Sequence, residues 1–183
     1  MSSHLVFSFN PDMCIQCKTC EMSCNEYYNL QGEHRRQVLT VVTGESSPVH
    51  VSMSCNHCLD PVCVYVCQEN NFQKRRDGIV VLDPSRCKGC MKCVEACPFS
   101  APKLNPVTNR VDKCNFCVER IDDDLRPVCV KNCITGALGM MTVDTKEIRS
   151  NNMKHNEIPL TNYSTPSTQI LKRNKKQYFS REG

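Results

Sequence analysis

The sequence predicts a small α+β fold made of two similar units of short strands and short helices around cysteine-rich loops. Two observations support this prediction. All sixteen cysteines fall into four groups of four, with none left over. Between the groups, short β-branched stretches alternate with turn residues and with segments that favour helices. Each unit would be small in a chain of 183 residues, so we expect apolar burial alone to be too weak to stabilise it.

The third cysteine group has the most regular spacing. In residues 87–98, CKGCMKCVEACP, the cysteines follow the pattern C-x2-C-x2-C-x3-C and a proline comes directly after. The first group repeats this spacing, the second has two more residues before its third cysteine, and the fourth has eleven residues between its second and third cysteines. In chain order the groups are Cys14, Cys17, Cys20 and Cys24; Cys55, Cys58, Cys63 and Cys67; Cys87, Cys90, Cys93 and Cys97; and Cys114, Cys117, Cys129 and Cys133.

This spacing is typical of bacterial iron–sulfur proteins. Cysteines three residues apart in a tight loop reach different irons of one cubane, while the fourth is directed toward another cluster. A zinc site combines two C-x2-C or C-x2-H pairs, so a run of three cysteines leaves one thiolate without a role. Against a disulfide framework, the sequence shows no signal peptide and its cysteines form tetrads rather than scattered pairs. We therefore expect iron–sulfur clusters, with zinc and disulfides as the alternatives.

Composition and charge agree with this expectation. The chain has 7 glycines, no tryptophan and 6% aromatic residues, so large core side chains are few. Cluster binding would add to the folding free energy, and we expect the cluster-free chain to be largely unfolded. The formal charge of +4 arises from residues 144–183 and ignores cofactors. Sixteen thiolates and four oxidised 4Fe-4S cores would bring the loaded protein to about −4, so the apparent basicity does not indicate nucleic-acid binding.

The predicted elements occur in a recurring order. Strands are predicted at residues 4–10, 38–43, 49–54, 79–82 and 137–143, a hairpin at 103–111, and short helices at 18–28, 62–68, 91–97 and 127–133. Short strand, cysteine loop, short helix, hairpin, cysteine loop, short helix and strand is the order of a two-cluster ferredoxin, and it occurs twice. Residues 150–183 lack cysteine and apolar periodicity, which predicts either a loosely attached tail or an arm that orders against a partner. No stretch is long and apolar enough to cross a membrane.

Several polar residues near the cysteines allow simple interpretations. His57 lies between two cysteines, but the tetrads are complete without it, so we expect it to pack or to form a hydrogen bond. The basic residues 35–36 and 74–76 are predicted to be solvated turns, with cations near the clusters, which would favour the reduced state, as the alternative. The acidic residues 122–124 are predicted to be a solvated loop, with a contact to a partner as the alternative.

The cysteine pattern resembles that of a known family over residues 4–143. Four segments carry this resemblance: FSFNPDMCIQCKTCEMSC, CNHCLDPVCVYVC, DPSRCKGCMKCVEACPFSAPK and KCNFCVERIDDDLRPVCVKNCITGAL. The chain is similar to the four-cluster ferredoxin-like electron-transfer subunits of the dimethyl sulfoxide reductase type, which serve molybdenum and tungsten pterin enzymes. The resemblance implies two ferredoxin-like units related by pseudo-twofold symmetry. The outer unit would be residues 1–48 with 105–143, the inner unit the inserted residues 49–104, and residues 144–183 an extended C-terminal tail.

The resemblance also implies four 4Fe-4S clusters with crossed ligation. Set 1 would be Cys14, Cys17, Cys20 and Cys133; set 2 would be Cys114, Cys117, Cys129 and Cys24; set 3 would be Cys87, Cys90, Cys93 and Cys67; and set 4 would be Cys55, Cys58, Cys63 and Cys97. Electrons would pass through the sets in that order, starting from the side of the catalytic partner.

These features predict an electron-transfer subunit without catalytic residues of its own. It would relay electrons between a molybdenum- or tungsten-pterin catalytic subunit of anaerobic metabolism and another redox partner, such as a flavin, quinone-linked or ferredoxin partner. The alternatives are a free-standing polyferredoxin and a zinc-stabilised interaction module. The glycines do not form a G-x-G-x-x-G motif, so no dinucleotide site is predicted. The missing signal peptide predicts the cytoplasm, with export bound to a signal-bearing partner as the alternative.

Overall fold

The computed structural model describes residues 3–31, 34–42, 48–154 and 164–171. Within these ranges the strands are β1 Ser3–Phe9, β2 Arg36–Val41, β3 Val49–Ser54, β4 Phe72–Lys74, β5 Val80–Leu82, β6 Lys103–Asn105, β7 Arg110–Asp112, β8 Leu138–Asp144 and β9 Gln169–Ile170. The helices are α1 Thr19–Tyr27, α2 Val62–Val66, α3 Lys92–Ala96, α4 Val118–Asp122, α5 Val128–Lys131 and α6 Thr145–Lys154. This mixture confirms the predicted α+β class. None of the described helices has the length and apolar character needed to span a bilayer.

One sheet joins the two ends of the cysteine region. Strand β1 pairs antiparallel with β8, from Ser3 opposite Asp144 to Phe9 opposite Leu138. Strand β9 lies on the other side of β1 and runs parallel to it. In β1, Val6, Phe7 and Phe9 are buried, because this strand packs between the sheet partners and the cysteine loops. The predicted first and last strands therefore lie side by side.

Three antiparallel hairpins separate the cysteine groups. They are β2 with β3, β4 with β5, and β6 with β7. The middle hairpin turns at Asp77 and Gly78, as the sequence predicts, and Gly78 has a φ of +86°. A Cβ at Gly78 would lie 2.3 Å from Cγ of His4, so glycine is needed where this turn meets β1.

The described residues form three apolar clusters, and cysteines take part in two of them. The larger cluster includes Phe7, Phe9, Ile79, Phe116 and Leu138, and the rings of Phe7 and Phe116 stack with centroids 4.1 Å apart. Because Ile79 comes from the central segment and the others flank it in sequence, this cluster joins the two predicted units. Burying a side chain of this size contributes about 1.5–3 kcal/mol.

The C-terminal residues that the structure describes lie against the rest of the chain. Helix α6 follows β8 directly, and Ile148 is fully buried beside Val6 and Val143. Further on, the backbone N–H of Leu59 donates to the carbonyl of Thr165 at 2.7 Å, and β9 pairs with the end of β1. The prediction of a loosely attached tail is wrong for residues 164–171, which make these contacts within the chain. Residues 155–163 and 172–183 lie outside the described residues.

One prediction about a charged segment is also wrong. Arg36 begins β2 and is 2% exposed, because polar groups on the paired strand β3 accept its hydrogen bonds. The acidic residues 122–124 are exposed, as predicted, although α4 extends to Asp122 before the turn begins. The carboxylate of Asp122 pairs with Arg75 at 2.5 Å. This contact connects the turn of the middle hairpin to α4.

Candidate functional site

The four cysteine loops share one backbone feature. In each group, the residue directly before the second cysteine has a left-handed conformation: Gln16 at φ 59°, His57 at 44°, Gly89 at 68° and Phe116 at 64°. For residues other than glycine, this conformation costs about 1–2 kcal/mol and persists only where the surroundings impose it. Its recurrence at equivalent positions indicates that all four loops are shaped for the same kind of ligand.

A second turn recurs after three of the four groups. The third residue after the last cysteine has a positive φ at Asn70, Ser100 and Gly136. The N–H of each donates to the carbonyl of that cysteine at 3.1–3.2 Å. After the first group, helix α1 continues instead. The repetition predicted from cysteine spacing is thus present in the backbone.

Two cavities of the described structure are lined by complete predicted ligand sets. The cysteines of set 1 surround one of them, together with Phe9, Val38 and Leu138. The cysteines of set 4 surround the other, together with Val80, Lys113 and Ser164. In both cavities, three cysteines come from one group and the fourth from a distant group. The fold therefore places cysteines that are far apart in the sequence around one cavity.

Set 2 is brought together in a buried part of the molecule. Burial raises the pKa of the Cys24 thiol well above its ordinary range, and the nearby Cys114 and Cys129 add to this rise. Burial likewise raises the pKa of Cys129 to about 11, with Cys114 and Cys117 among its charged neighbours. All four cysteines of this set are buried.

Set 3 is assembled by α2 and α3, which pack against each other. Burial raises the pKa of Cys93 to about 11, and Cys67, Cys87 and Cys90 contribute to the rise. Cys67 comes from the second group, and the other three come from the third. Cys90 is exposed, so this set reaches the surface.

The chemistry of these sites fits iron–sulfur clusters. Burial raises the pKa of Cys58 and Cys63 to about 12, so both remain thiols at neutral pH until a metal displaces their protons. Tetrads of soft sulfur ligands suit iron–sulfur clusters. In the described ranges, no three His, Cys, Asp or Glu side chains converge as a single metal ion would require.

Some cysteines of different sets act on one another. Cys20 of set 1 contributes to the raised pKa of Cys129 in set 2, and Cys55 of set 4 contributes to that of Cys114 in set 2. Cys63 of set 4 and Cys93 of set 3 belong to one apolar cluster. These neighbours favour the spatial order set 1, set 2, set 4 and set 3, whereas the family resemblance implied that set 3 follows set 2.

Backbone and hydroxyl donors point at several of the sulfurs. The N–H groups of Val111 and Leu138 donate to the sulfurs of Cys87 and Cys133, each at 3.3 Å. The Thr19 hydroxyl donates to Cys17 at 3.4 Å and lowers the pKa of that thiol. Such hydrogen bonds stabilise negative charge on sulfur and are among the factors that set a cluster's potential.

His57 has the packing and hydrogen-bonding role that the sequence predicts. Its Nδ1 accepts from the N–H of Val80 at 3.1 Å, and its ring packs edge-on against Phe116 with centroids 5.3 Å apart. Burial lowers its pKa well below the ordinary value, with Lys113 and Lys74 as further causes. The imidazole is therefore neutral, and its proton is on Nε2.

Sequence reasoning missed three polar residues at the sites. Lys113 is 2% exposed, donates to the carbonyls of Val80 and Cys114, and lines the set 4 cavity. Ser164 lines the same cavity, and hydrogen bonding from its buried hydroxyl lowers the pKa of the Cys58 thiol against the larger raising effect of burial. Arg36, predicted to be solvated, lies between sets 1 and 2. No local pattern marks any of the three, because their positions depend on contacts between distant segments.

Comparison with known proteins gives a consistent result. A family described as the 4Fe-4S dicluster domain matches residues 46–143, which contain three of the cysteine groups. One chain of the anaerobic dimethyl sulfoxide reductase of Escherichia coli (strain K12) is 35% identical over 170 residues, which cover 86% of the present sequence and 80% of that protein. One subunit of the tetrathionate reductase of Salmonella typhimurium is 43% identical over 130 residues, which cover 68% and 52%. The thiosulfate reductase electron transfer subunit PhsB of Salmonella typhi is 36% identical over 156 residues, which cover 81% of each sequence.

Proposed function

This protein belongs to the 4Fe-4S dicluster family of iron–sulfur electron-transfer subunits, and on that premise we propose that it relays electrons between a pterin-dependent catalytic subunit and a second redox partner. Its sixteen cysteines are the ligands of four 4Fe-4S clusters. Each bound cluster accepts and releases one electron. The chain itself supplies the thiolates, the burial and the hydrogen bonds, and the substrate chemistry belongs to the partner.

We propose the crossed ligand sets 1 to 4 as the cluster sites. The lining of the two cavities supports sets 1 and 4, and the proximity of Cys24 to Cys114 and of Cys67 to Cys93 supports sets 2 and 3. Crossed ligation also implies the nested arrangement, with residues 49–104 forming a unit inserted between 1–48 and 105–143. The pairing of β1 with β8 supports this arrangement, because it joins both ends of the outer unit.

The observation that carries the proposal is the exposure of the two end sets. Cys17 of set 1 and Cys90 of set 3 are exposed, whereas none of the cysteines of sets 2 and 4, which we place between them, is exposed. A relay needs a surface where electrons enter, a second surface where they leave, and a protected path between the two. A structural or sensory iron–sulfur site needs no such path.

Anaerobic purification of a tagged protein from its native host tests the proposal. We expect about sixteen iron and about sixteen acid-labile sulfide per chain, together with a catalytic subunit in stable ratio. After reduction, the clusters should reoxidise when an acceptor such as dimethyl sulfoxide, tetrathionate or thiosulfate is added. Zinc without sulfide would contradict the proposal in favour of an interaction module. A full iron content with no co-purifying subunit would indicate a free-standing polyferredoxin.

We further propose a molybdenum pterin enzyme as the catalytic partner, with a tungsten enzyme as the alternative. The names of the relatives support the first choice, because they are chains or subunits of reductases of oxidised sulfur compounds. Elemental analysis of the purified complex distinguishes the two metals. The cytoplasm stays a prediction, and fractionation of cells that express the complex tests it.

A further inference from the structure

Arg36 is a buried cation whose side-chain partners are electrically neutral. Its guanidinium donates to the carbonyl and hydroxyl oxygens of Ser52 at 3.3 and 3.0 Å and to the hydroxyl of Ser54 at 2.8 Å. It also lies over the Phe7 ring, 4.5 Å from the centroid. Among the described residues, no carboxylate forms an ion pair with it.

The preceding residue shows what a paired arginine looks like in this protein. Arg35 donates twice to the carboxylate of Asp112, at 2.7 and 2.9 Å. A buried charge that lacks a counter-charge costs several kcal/mol. Since Arg36 is 2% exposed, the folded protein needs a source of negative charge close to it.

Cysteine sulfurs of two predicted ligand sets surround Arg36. The cysteines that would act electrostatically on its guanidinium as thiolates are Cys129, Cys114, Cys20 and Cys24, of which Cys20 belongs to set 1 and the others to set 2. Ser52 provides a direct link, because its hydroxyl lies 3.4 Å from the sulfur of Cys20 while accepting from Arg36. When Cys20 is a thiolate, Ser52 is the donor, and the guanidinium polarises that hydrogen bond.

We propose that Arg36 is an internal counter-charge shared by the clusters of sets 1 and 2, and that Ser52 connects it to Cys20. The inference rests on the proposed ligand sets. Reduction adds one electron to a cluster and neither forms nor breaks a bond. A fixed cation nearby stabilises the added negative charge, so Arg36 makes both clusters easier to reduce.

Redox titration of the purified complex, followed by EPR, tests this role. Replacing Arg36→Gln should lower the reduction equilibrium constants of the set 1 and set 2 clusters by about tenfold, or about 59 mV for one electron, while sets 3 and 4 keep theirs. Arg36→Lys keeps the charge and should restore most of the shift. Ser52→Ala should shift the set 1 cluster alone. Cys133→Ser and Cys24→Ser variants identify the signals of sets 1 and 2.

A double substitution serves as the matched control. Arg35→Gln combined with Asp112→Asn removes a cation together with its anion and should leave the potentials unchanged. If Arg36→Gln retains full iron but both potentials stay at the wild-type values, Arg36 is not a counter-charge, although the relay function would stand. If Arg36→Gln fails to load clusters, Ser52→Ala decides: a selective shift of set 1 supports the proposal, and no shift overturns it. A wild-type complex without iron and sulfide would instead refute the proposed function.

Discussion

The crossed ligation can be tested by replacing Cys133→Ser. Cys133 lines the set 1 cavity with Cys14, Cys17 and Cys20, although it belongs to the fourth group in the sequence. The backbone N–H of Leu138, the first residue of β8, donates to the sulfur of Cys133 at 3.3 Å. The start of β8 therefore lies next to the set 1 site. We expect the variant to damage the cluster of set 1. Iron content should fall from about sixteen to about fifteen if one iron is lost, or to about twelve if the exposed cluster is lost entirely.

Iron analysis and EPR of the anaerobic complex measure this effect. The EPR signal of the set 1 cluster should be altered, and the signals of sets 3 and 4 should be unchanged. Cys24→Ser is the matched control, because Cys24 belongs to the first group in sequence but lies beside Cys114 and Cys129. It should disturb the cluster of set 2 instead. The reasoning fails if each variant damages only the cluster formed by its own sequence group.

Three further predictions concern the loops, the set 4 cavity and the metal. Gly89→Ala and Gly136→Ala both place a side chain on a residue with φ 68°, and each should destabilise the fold by about 1–2 kcal/mol. Only at Gly89 would the new Cβ also clash, because it would lie 2.6 Å from the backbone oxygen of Asn109. Gly89→Ala should therefore show the lower urea midpoint for cluster bleaching, and equal midpoints would contradict this. Ser164→Ala removes a buried hydroxyl beside Cys58, and the lost hydrogen bond should cost the reduced set 4 cluster about 1 kcal/mol. Its reduction potential should therefore fall by roughly 40 mV in an EPR titration. An unchanged potential would exclude Ser164 as a donor to that site. Removing iron by oxidation and chelation should abolish the far-UV circular dichroism signal of the folded chain. A cooperative unfolding transition in the iron-free protein would show that the fold does not need its clusters.

The sequence was most informative where local rules operate. The strands around Phe7, Val51 and Val81 and the short helices after the cysteines follow from β-branched runs, turn residues and cysteine spacing. The Asp77-Gly78 turn was predictable because glycine marks the position that requires a positive φ. Helix α4 was missed, because its acidic C-terminal end suggested a solvated loop.

Contacts between distant segments were not predictable from local patterns. Arg36 is buried because Ser52 and Ser54 lie across from it on β3, and a dibasic pair in the sequence carries no sign of this. Strand β9 is only two residues long, so Gln169 and Ile170 have no periodicity that indicates a strand. The order of the sets depends on Cys55 facing Cys114, which only the packing of the two units determines.

The pairing of β1 with β8 has a consequence for how the protein is made. Strand β1 is synthesised before the central segment, but its partner β8 follows only after the whole of that segment. With the proposed ligand sets, sets 3 and 4 have all their ligands once Cys97 has emerged, whereas set 1 waits for Cys133. The first of the sixteen cysteines to be synthesised therefore belong to the set whose ligands are completed last. Ser164 also lines the set 4 cavity, and the carbonyl of Thr165 accepts from the N–H of Leu59, so the lining of that cavity is complete only after these C-terminal residues have been added.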